Sequence, residues 1–486
     1  MHEYINEINE INKKNEEIGK AATSFIAQTV NFYNNLSQKP VCRPASQELL
    51  EKLQHQSIPA KGRPVEEVCQ EMLQDIYSNT TLAQHPRSFA CVPSNASMLS
   101  WLGDMMTGAF NPHASCQINA PAANLIEKKL IHWLCNRAGY PEESCGGLFV
   151  SGGSLANLTA LTAARDCKLA NPEERSQAVI YVSDQTHSSV TKGLLIIGFC
   201  MEQVHIIPSD AGFRMDPAAL QQAIETDLSA GRKPFAVVAS AGTTNTGSID
   251  PMQQISEICR KYNLWMHVDG AFGASALLSD SLRERLAGIE NSDSLSWDAH
   301  KWMMQTYACS MVLVRDQSLL ARSFAAHPEY LKDSETSEDG VEFWDLGPEL
   351  TRPARSLKLW LTLQTLGSDA MGSVLDHGCA MADLAESMIR KESGWEISAP
   401  SSLGIVNFRY VGHGDLSEEE KDQINQAIAR TITESGYALI FTTELHKHKV
   451  LRICSINPET TEEDIRGTIE RLVQISKYVS YRMHAA

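Results

Sequence analysis

From about residue 120 the chain alternates short apolar runs with helical stretches, and this alternation constrains its fold more than any other feature. The runs are Gly147–Val150, Val179–Val182, Val204–Ile207, Phe235–Ala239, Leu264–Val268 and Met311–Val314. Helix-like stretches such as Leu155–Lys168, Ala218–Ala230 and Ile255–Tyr262 lie between them. Strands that are apolar throughout need cover on both faces. The pattern therefore predicts an α/β domain with a largely parallel sheet between helices. In such sheets ligands bind beyond the carboxyl ends of the strands, so the polar residues after each run are the candidates for chemistry.

Other segments read differently. Residues 1–40 suggest an amphipathic helix with Ile5, Ile8, Ile11 and Ile18 among polar residues, which must pack on the rest of the chain or on a second subunit. The stretch from Ser334 to Gly340 is charged and lacks apolar periodicity, as an exposed loop does. A helix is expected from about Pro353 to Leu366. Beyond about residue 370 a smaller α/β unit follows. In it Ser417-x-x-Glu420 and Thr460-x-x-Glu463 read as capping boxes, and Leu439–Thr443 and Val450–Ile453 as a strand pair. The motif His446-Lys447-His448-Lys449 between those strands suggests a solvated turn rather than a metal site. The expected division is 1–97, 98–365 and 366–486.

Composition limits the function classes. At 486 residues the chain exceeds the roughly 250–300 residues at which single cores stop growing. Its formal net charge of −17, with no basic block, argues against nucleic acid or an anionic membrane as partner. The first twenty residues contain no apolar signal core, and no window is apolar enough to span a bilayer. Twelve cysteines are scattered singly without zinc spacing, which fits reduced thiols in a cytoplasmic protein and no metal.

Four constellations follow expected strands. Ser151-Gly152-Gly153-Ser154 joins a strand to a helix, where bare backbone N–H groups can receive a phosphate; the bland reading is a tight turn. Asp184 to Ser189 contains His187, which could lie against an aromatic ligand or merely cap a helix. His267-Val268-Asp269-Gly270-Ala271 ends a strand with a carboxylate that could pair with a protonated ring nitrogen, or simply cap a turn. Asp298-Ala299-His300-Lys301-Trp302 offers a lysine among apolar neighbours, where desolvation favours a nucleophilic amine; most lone lysines are surface residues. The ordered set is far more specific than any member.

That set resembles the group II pyridoxal-phosphate-dependent amino-acid decarboxylases, together with His85-Pro86-Arg87, Gly242-Thr243-Thr244 and Arg355 to Trp360. Among them the chain resembles the bacterial tryptophan (aromatic L-amino acid) decarboxylases in particular, in Asn245 to Asp250 and Ser296 to Trp302. The resemblance implies the aspartate-aminotransferase-like fold (fold type I): a mostly parallel seven-stranded sheet in a large domain, a small C-terminal α/β domain, and an N-terminal helical segment packing on the partner of a homodimer. It implies pyridoxal 5'-phosphate as cofactor and an amino acid as substrate. Lys301 would hold the cofactor covalently, Asp269 would pair with its ring nitrogen, and His187 and Ala271 would lie against its two faces. Gly153, Ser154 and His300 would hold the phosphate, with Thr351 reaching the neighbouring subunit's phosphate. Thr244 would sit near the ring and the substrate carboxylate. Asp298 stands where many relatives have asparagine. Arg452 could face the site.

The resemblance also bears on reaction and substrate. Tyr330 would deliver the α-carbon proton from a loop of the partner, which favours simple decarboxylation over aldehyde formation. Phe89, Cys91, Val92, Pro93, His113 and Trp344 would line the substrate pocket, although core packing is the bland reading for each. Cys91 stands where the tryptophan decarboxylases it resembles carry phenylalanine, which leaves more room, and no added arginine in that segment suits an acidic side chain. An aromatic substrate, tryptophan or phenylalanine foremost, is therefore expected. A decarboxylase of an aliphatic or diamino acid such as 2,4-diaminobutyrate is the alternative, and a catalytically silent scaffold a remote one.

Overall fold

The structure is a computed structural model that describes residues 2–92, 95–326 and 341–484. Its centre is a seven-stranded sheet: β1 (Gly146–Val150), β2 (Ala178–Ser183), β3 (Val204–Ile207), β4 (Lys233–Ser240), β5 (Trp265–Asp269), β6 (Ser294–Asp298) and β7 (Ser310–Val314). The strand order is β1-β7-β6-β5-β4-β2-β3. From β6 to β3 neighbours run parallel, while β7 is antiparallel to both β6 and β1. Both faces are covered, as the apolar runs require: Phe149, Val237, Val268 and Leu313 belong to one core, and Val150, Ile180, Val238 and Val312 to the other.

The strand β6 was not among the apolar runs. It reads Ser-Leu-Ser-Trp-Asp, yet all five residues are buried. Its serines face inward because each has a buried hydrogen-bonding partner.

A second sheet, ordered β10-β11-β9-β8, is antiparallel throughout: β8 (Trp395–Ser402), β9 (Ile405–Tyr410), β10 (Thr442–Leu445) and β11 (His448–Cys454). The helices Glu418–Glu434 and Glu462–His484 pack on it. The His446–Lys447 turn has two residues at positive φ, 51° and 69°, the twist that a two-residue hairpin needs. β10 starts at Thr442, later than expected. Leu439 instead exchanges backbone hydrogen bonds with the N-terminal segment, accepting from Phe89 at 3.0 Å and donating to Arg87 at 3.0 Å.

The helix expected to end near Leu366 does end there: Gly367, at φ 82°, breaks it from the helical stretch that continues to Ile389. Two other expectations need correction. The second capping box lies one residue later: Thr461 and Asp464 cap each other, while the Thr460 hydroxyl donates to the Pro86 carbonyl. Phe89 is fully buried in the core of the second sheet, with Val406, Phe408 and Ile453, so it is no substrate contact. Among the described residues no helix is long and apolar enough to cross a membrane.

Candidate active site

The carboxyl ends of β1, β2, β4, β5 and β6 surround a cavity of about 470 Å³. Most of the expected site residues line it: Gly153, Ser154, His187, Thr244, Asp269, Ala271, Asp298, His300, Lys301, Cys91, Val92 and Arg452. Topology accounts for the convergence of the strand-end residues. Each stands just after or at the end of a strand, and parallel strands put those ends on one side.

Lys301 follows β6, and its ammonium lies 3.2 Å from Asp298 Oδ2. The other Asp298 oxygen is buried without a partner among the described residues. The His300 Nδ1 accepts the Cys309 N–H at 3.3 Å, so in the neutral ring the proton sits on Nε2, 3.6 Å from Asp298 Oδ2. Burial lowers the His300 pKa, against the pull of Asp298.

Asp269 is 8% exposed at the end of β5. Its Oδ1 accepts the Ser296 hydroxyl at 3.1 Å and the Ala271 N–H at 3.2 Å, and its Oδ2 accepts the Asn157 amide at 3.1 Å. Burial alone would raise its pKa. The charge of Lys301 and the influence of His267, with those donors, outweigh burial and hold it below the usual carboxylate value. Asp269 is therefore an ionised buried carboxylate facing the cavity.

His187 is the N-cap of the helix Ser188–Ile196, and its Nδ1 accepts the Ser189 N–H at 3.2 Å. The capping residue and the cavity-lining ring are one and the same, so the cap leaves the ring available to a ligand. The helix Gly153–Lys168 begins beside the cavity with no side-chain cap, leaving its first N–H groups to a ligand. A Cβ on Gly153 would stand 2.8 Å from Asp298 Oδ2, so only glycine fits this turn without displacing that carboxylate.

Not every expected residue reaches this cavity. His113 is held by Asn119 at 2.9 Å and Ser115 at 3.3 Å. Trp344 is buried and its backbone N–H donates to the Ser115 carbonyl, and the backbone N–H of Arg352, next to Thr351, donates to the Ser115 hydroxyl. His113, Trp344 and Thr351 thus gather around Ser115 and line none of this chain's cavity. Pro93 and Tyr330 lie outside the described residues.

Other residues that the sequence reading did not single out, among them Asn157, Ser189, Ser240 and the half-exposed Tyr307, also line the cavity. The buried Lys358 fixes Tyr307 by donating to its carbonyl at 3.1 Å and to that of Thr306 at 3.0 Å. Asn157 had one signal: it stands four residues after Gly153, on the same helix face.

The arrangement fits pyridoxal phosphate. An uncapped helix end suits the phosphate, an ionised carboxylate suits a protonated ring nitrogen, and a partly buried lysine can hold an aldehyde. Residues 47–411 match the pyridoxal-dependent decarboxylase conserved domain. An aromatic-L-amino-acid decarboxylase of Bacillus atrophaeus is 37% identical over 466 residues, covering 96% of each chain. The structure of Oryza sativa TDC with PLP and tryptamine superposes with a TM-score of 0.90 at 26% identity, covering 96% of this chain and 98% of that one. Tryptophan decarboxylase of Catharanthus roseus in complex with L-tryptophan gives 0.88 at 28%, covering 96% and 99%. With its fold, its cofactor site and this kinship, the chain belongs to the pyridoxal-dependent decarboxylases and is a carboxy-lyase that uses pyridoxal phosphate.

Proposed function

We propose that the enzyme decarboxylates an aromatic L-amino acid, tryptophan or phenylalanine foremost, to the arylalkylamine and carbon dioxide. The observation that carries this reading is similarity over nearly the full length to an aromatic-L-amino-acid decarboxylase. The cavity supports it. Beside Lys301 it is lined by Val92, Phe272 and Tyr307, which suit a flat apolar side chain. Arg452 spends its guanidinium on the Thr244 carbonyl at 2.7 Å and the Ala90 carbonyl at 2.5 Å. Among the described lining residues no cation is set aside for an acidic substrate side chain.

When bound, pyridoxal phosphate supplies an electron sink for the pair released as carbon dioxide leaves. Lys301 would hold it covalently and give way to the substrate amine. Gly153, Ser154 and His300 would bind its phosphate, and Asp269 would keep a proton on its ring nitrogen. His187 and Ala271 would flank the ring, and Thr244 would orient the substrate. Tyr330 would give the proton to the α-carbon.

A second subunit completes this reading. Phe25, Ile26 and Val30 on the helix His2–Asn34 are exposed, as are Leu102, Met106 and Phe110 on Met98–Phe110. An apolar surface of that kind is what a partner covers. His113, Trp344 and Thr351, gathered away from this chain's cavity, would then serve the partner's.

Three experiments test the reading. Lys301→Ala should lose the visible absorbance of the bound cofactor and lower amine formation on the order of 10⁴-fold. A wild-type panel of tryptophan, phenylalanine, tyrosine, DOPA, 2,4-diaminobutyrate and glutamate should give highest kcat/KM for an aromatic member; preference for 2,4-diaminobutyrate or glutamate would reverse the assignment. Tyr330→Phe should divert product from amine to aldehyde, and unchanged amine yield would remove Tyr330 from the mechanism.

A further inference from the structure

Behind the cavity lies a chain of buried side chains whose hydrogen bonds can run in only one direction. Trp265 Nε1 is solely a donor, and it donates to Ser294 Oγ at 2.8 Å. The Ser294 hydroxyl proton is then free for His267 Nδ1, 2.8 Å away. The cavity side sets the direction: the Asn157 N–H groups point to Asp269 Oδ2 at 3.1 Å and Ser189 Oγ at 3.0 Å, so its Oδ1 accepts from His267 Nε2 at 2.9 Å, and the neutral ring leaves Nδ1 to accept from Ser294. Ser189 in turn stands 2.8 Å from His187 Nδ1 and can donate to it. Trp265, Ser294, His267 and Asn157 are each at most 1% exposed, and none of their polar side-chain atoms lacks a partner.

We infer that Asn157 is a positioning residue for both groups destined for the cofactor ring: it aims an ionised Asp269 at the cavity and orients the Ser189 hydroxyl, which joins the Ser189 backbone N–H at His187 Nδ1 and so holds that ring, its proton on Nε2, in place. The inference rests on the reading of Asp269 and His187 as ring contacts. Its chemistry is simple. A carboxylate buried beside a donor is stabilised as the anion, and a saturated amide cannot rotate without breaking two further bonds. An apolar residue at this helix position would fill the space and leave Asp269 short of a donor.

The test uses the full chain reconstituted with pyridoxal phosphate. Asn157→Asp keeps shape and volume but replaces the donor with an acceptor facing Asp269. It should raise the cofactor dissociation constant on the order of tenfold and move the pH midpoint of the bound cofactor's visible absorbance by about one unit. Ser294→Ala, two links away, should move both in the same direction by less. It also serves as the measurement should the first variant fail to fold. Values equal to wild type for a folded Asn157→Asp overturn the inference. So does a change confined to the melting temperature, which a space-filling role would produce. For Ser294→Ala, unmoved cofactor readouts overturn the chain as drawn. Asp269→Asn separates the two levels. If it leaves affinity and absorbance unchanged, the reading of Asp269 fails. If it changes both while the Asn157 and Ser294 variants change neither, only the positioning role fails.

Discussion

The network around Asn157 and the ion pair between Glu127 and Arg352 are equally buried, yet only the first accounts for its polar atoms. Arg352 Nη2 donates to Glu127 Oε1 at 2.5 Å and to the Phe149 carbonyl at 2.7 Å, and Nη1 donates to the Ala114 carbonyl at 2.9 Å. Both side chains are 0% exposed. Among the described residues, however, Glu127 Oε2 and Arg352 Nε have no partner. The network opens onto the cavity; the pair joins the end of β1 to the segment of Ala114 and Thr351. Full satisfaction holds a carboxylate in one ionised orientation. A pair with spare atoms ties segments together and needs only to stay paired.

The largest test of this difference breaks the pair. Glu127→Ala leaves a guanidinium buried without its counter-ion, which costs about 3–5 kcal/mol. Chemical denaturation should show that loss, whereas Glu127→Leu with Arg352→Met should recover most of it, because apolar residues of similar size need no partner. If the double variant is as unstable as the single one, the pair does more than join segments.

Acid probes the network next. Burial holds His267 down at about 4, against the pull of Asp269, and burial likewise holds His85 at about 4. An unfolded imidazole titrates near 6.5. The unfolded chain therefore takes up protons first as pH falls. The stability each histidine confers is fully present above about pH 6.5 and is lost progressively towards pH 4, at about 3 kcal/mol per residue. His85 lies outside the network: its Nδ1 accepts the Arg87 N–H at 3.0 Å, and its Nε2 meets the Lys39 carbonyl at 3.1 Å. It is thus the reference. His85→Gln should flatten the stability curve between pH 7 and 4 while leaving cofactor absorbance unaltered. His267→Gln should flatten the curve and also change that absorbance. Equal spectra for both variants would place His267 outside the network.

Much of this could be read in the sequence, because burial on both faces leaves continuous apolar runs, and six strands carried them. β6 did not, since Ser294 and Ser296 belong to the polar system behind Asp269 and interrupt the pattern. The antiparallel direction of β7, a run the sequence did show, was hidden: a fully buried strand looks alike in either direction. Strand-end residues such as His187, Asp269 and Lys301 were legible because topology gathers such ends. Asn157 sits one turn inside a helix, where a lone asparagine carries little local signal. Phe89 was misread because a phenylalanine beside site residues reads the same whether it faces a ligand or the neighbouring core.

The smallest expected effect sharpens the comparison most. Ser296→Ala removes one donor from Asp269 and leaves the Ala271 N–H on Oδ1 and the Asn157 amide on Oδ2. A network with shared duties should tolerate this. Cofactor affinity should fall about fivefold, the factor for ~1 kcal/mol, with little change in melting temperature. The His187 side should be untouched, since Ser296 has no bond to Ser189 or His187 among those described. Asn157→Asp acts on Asp269 and on the Ser189–His187 side at once, so its loss should exceed that of Ser296→Ala. A loss in Ser296→Ala as large as in Asn157→Asp would move the centre of the network from the helix to β6, and Asp269 would then be held chiefly by its neighbouring strand.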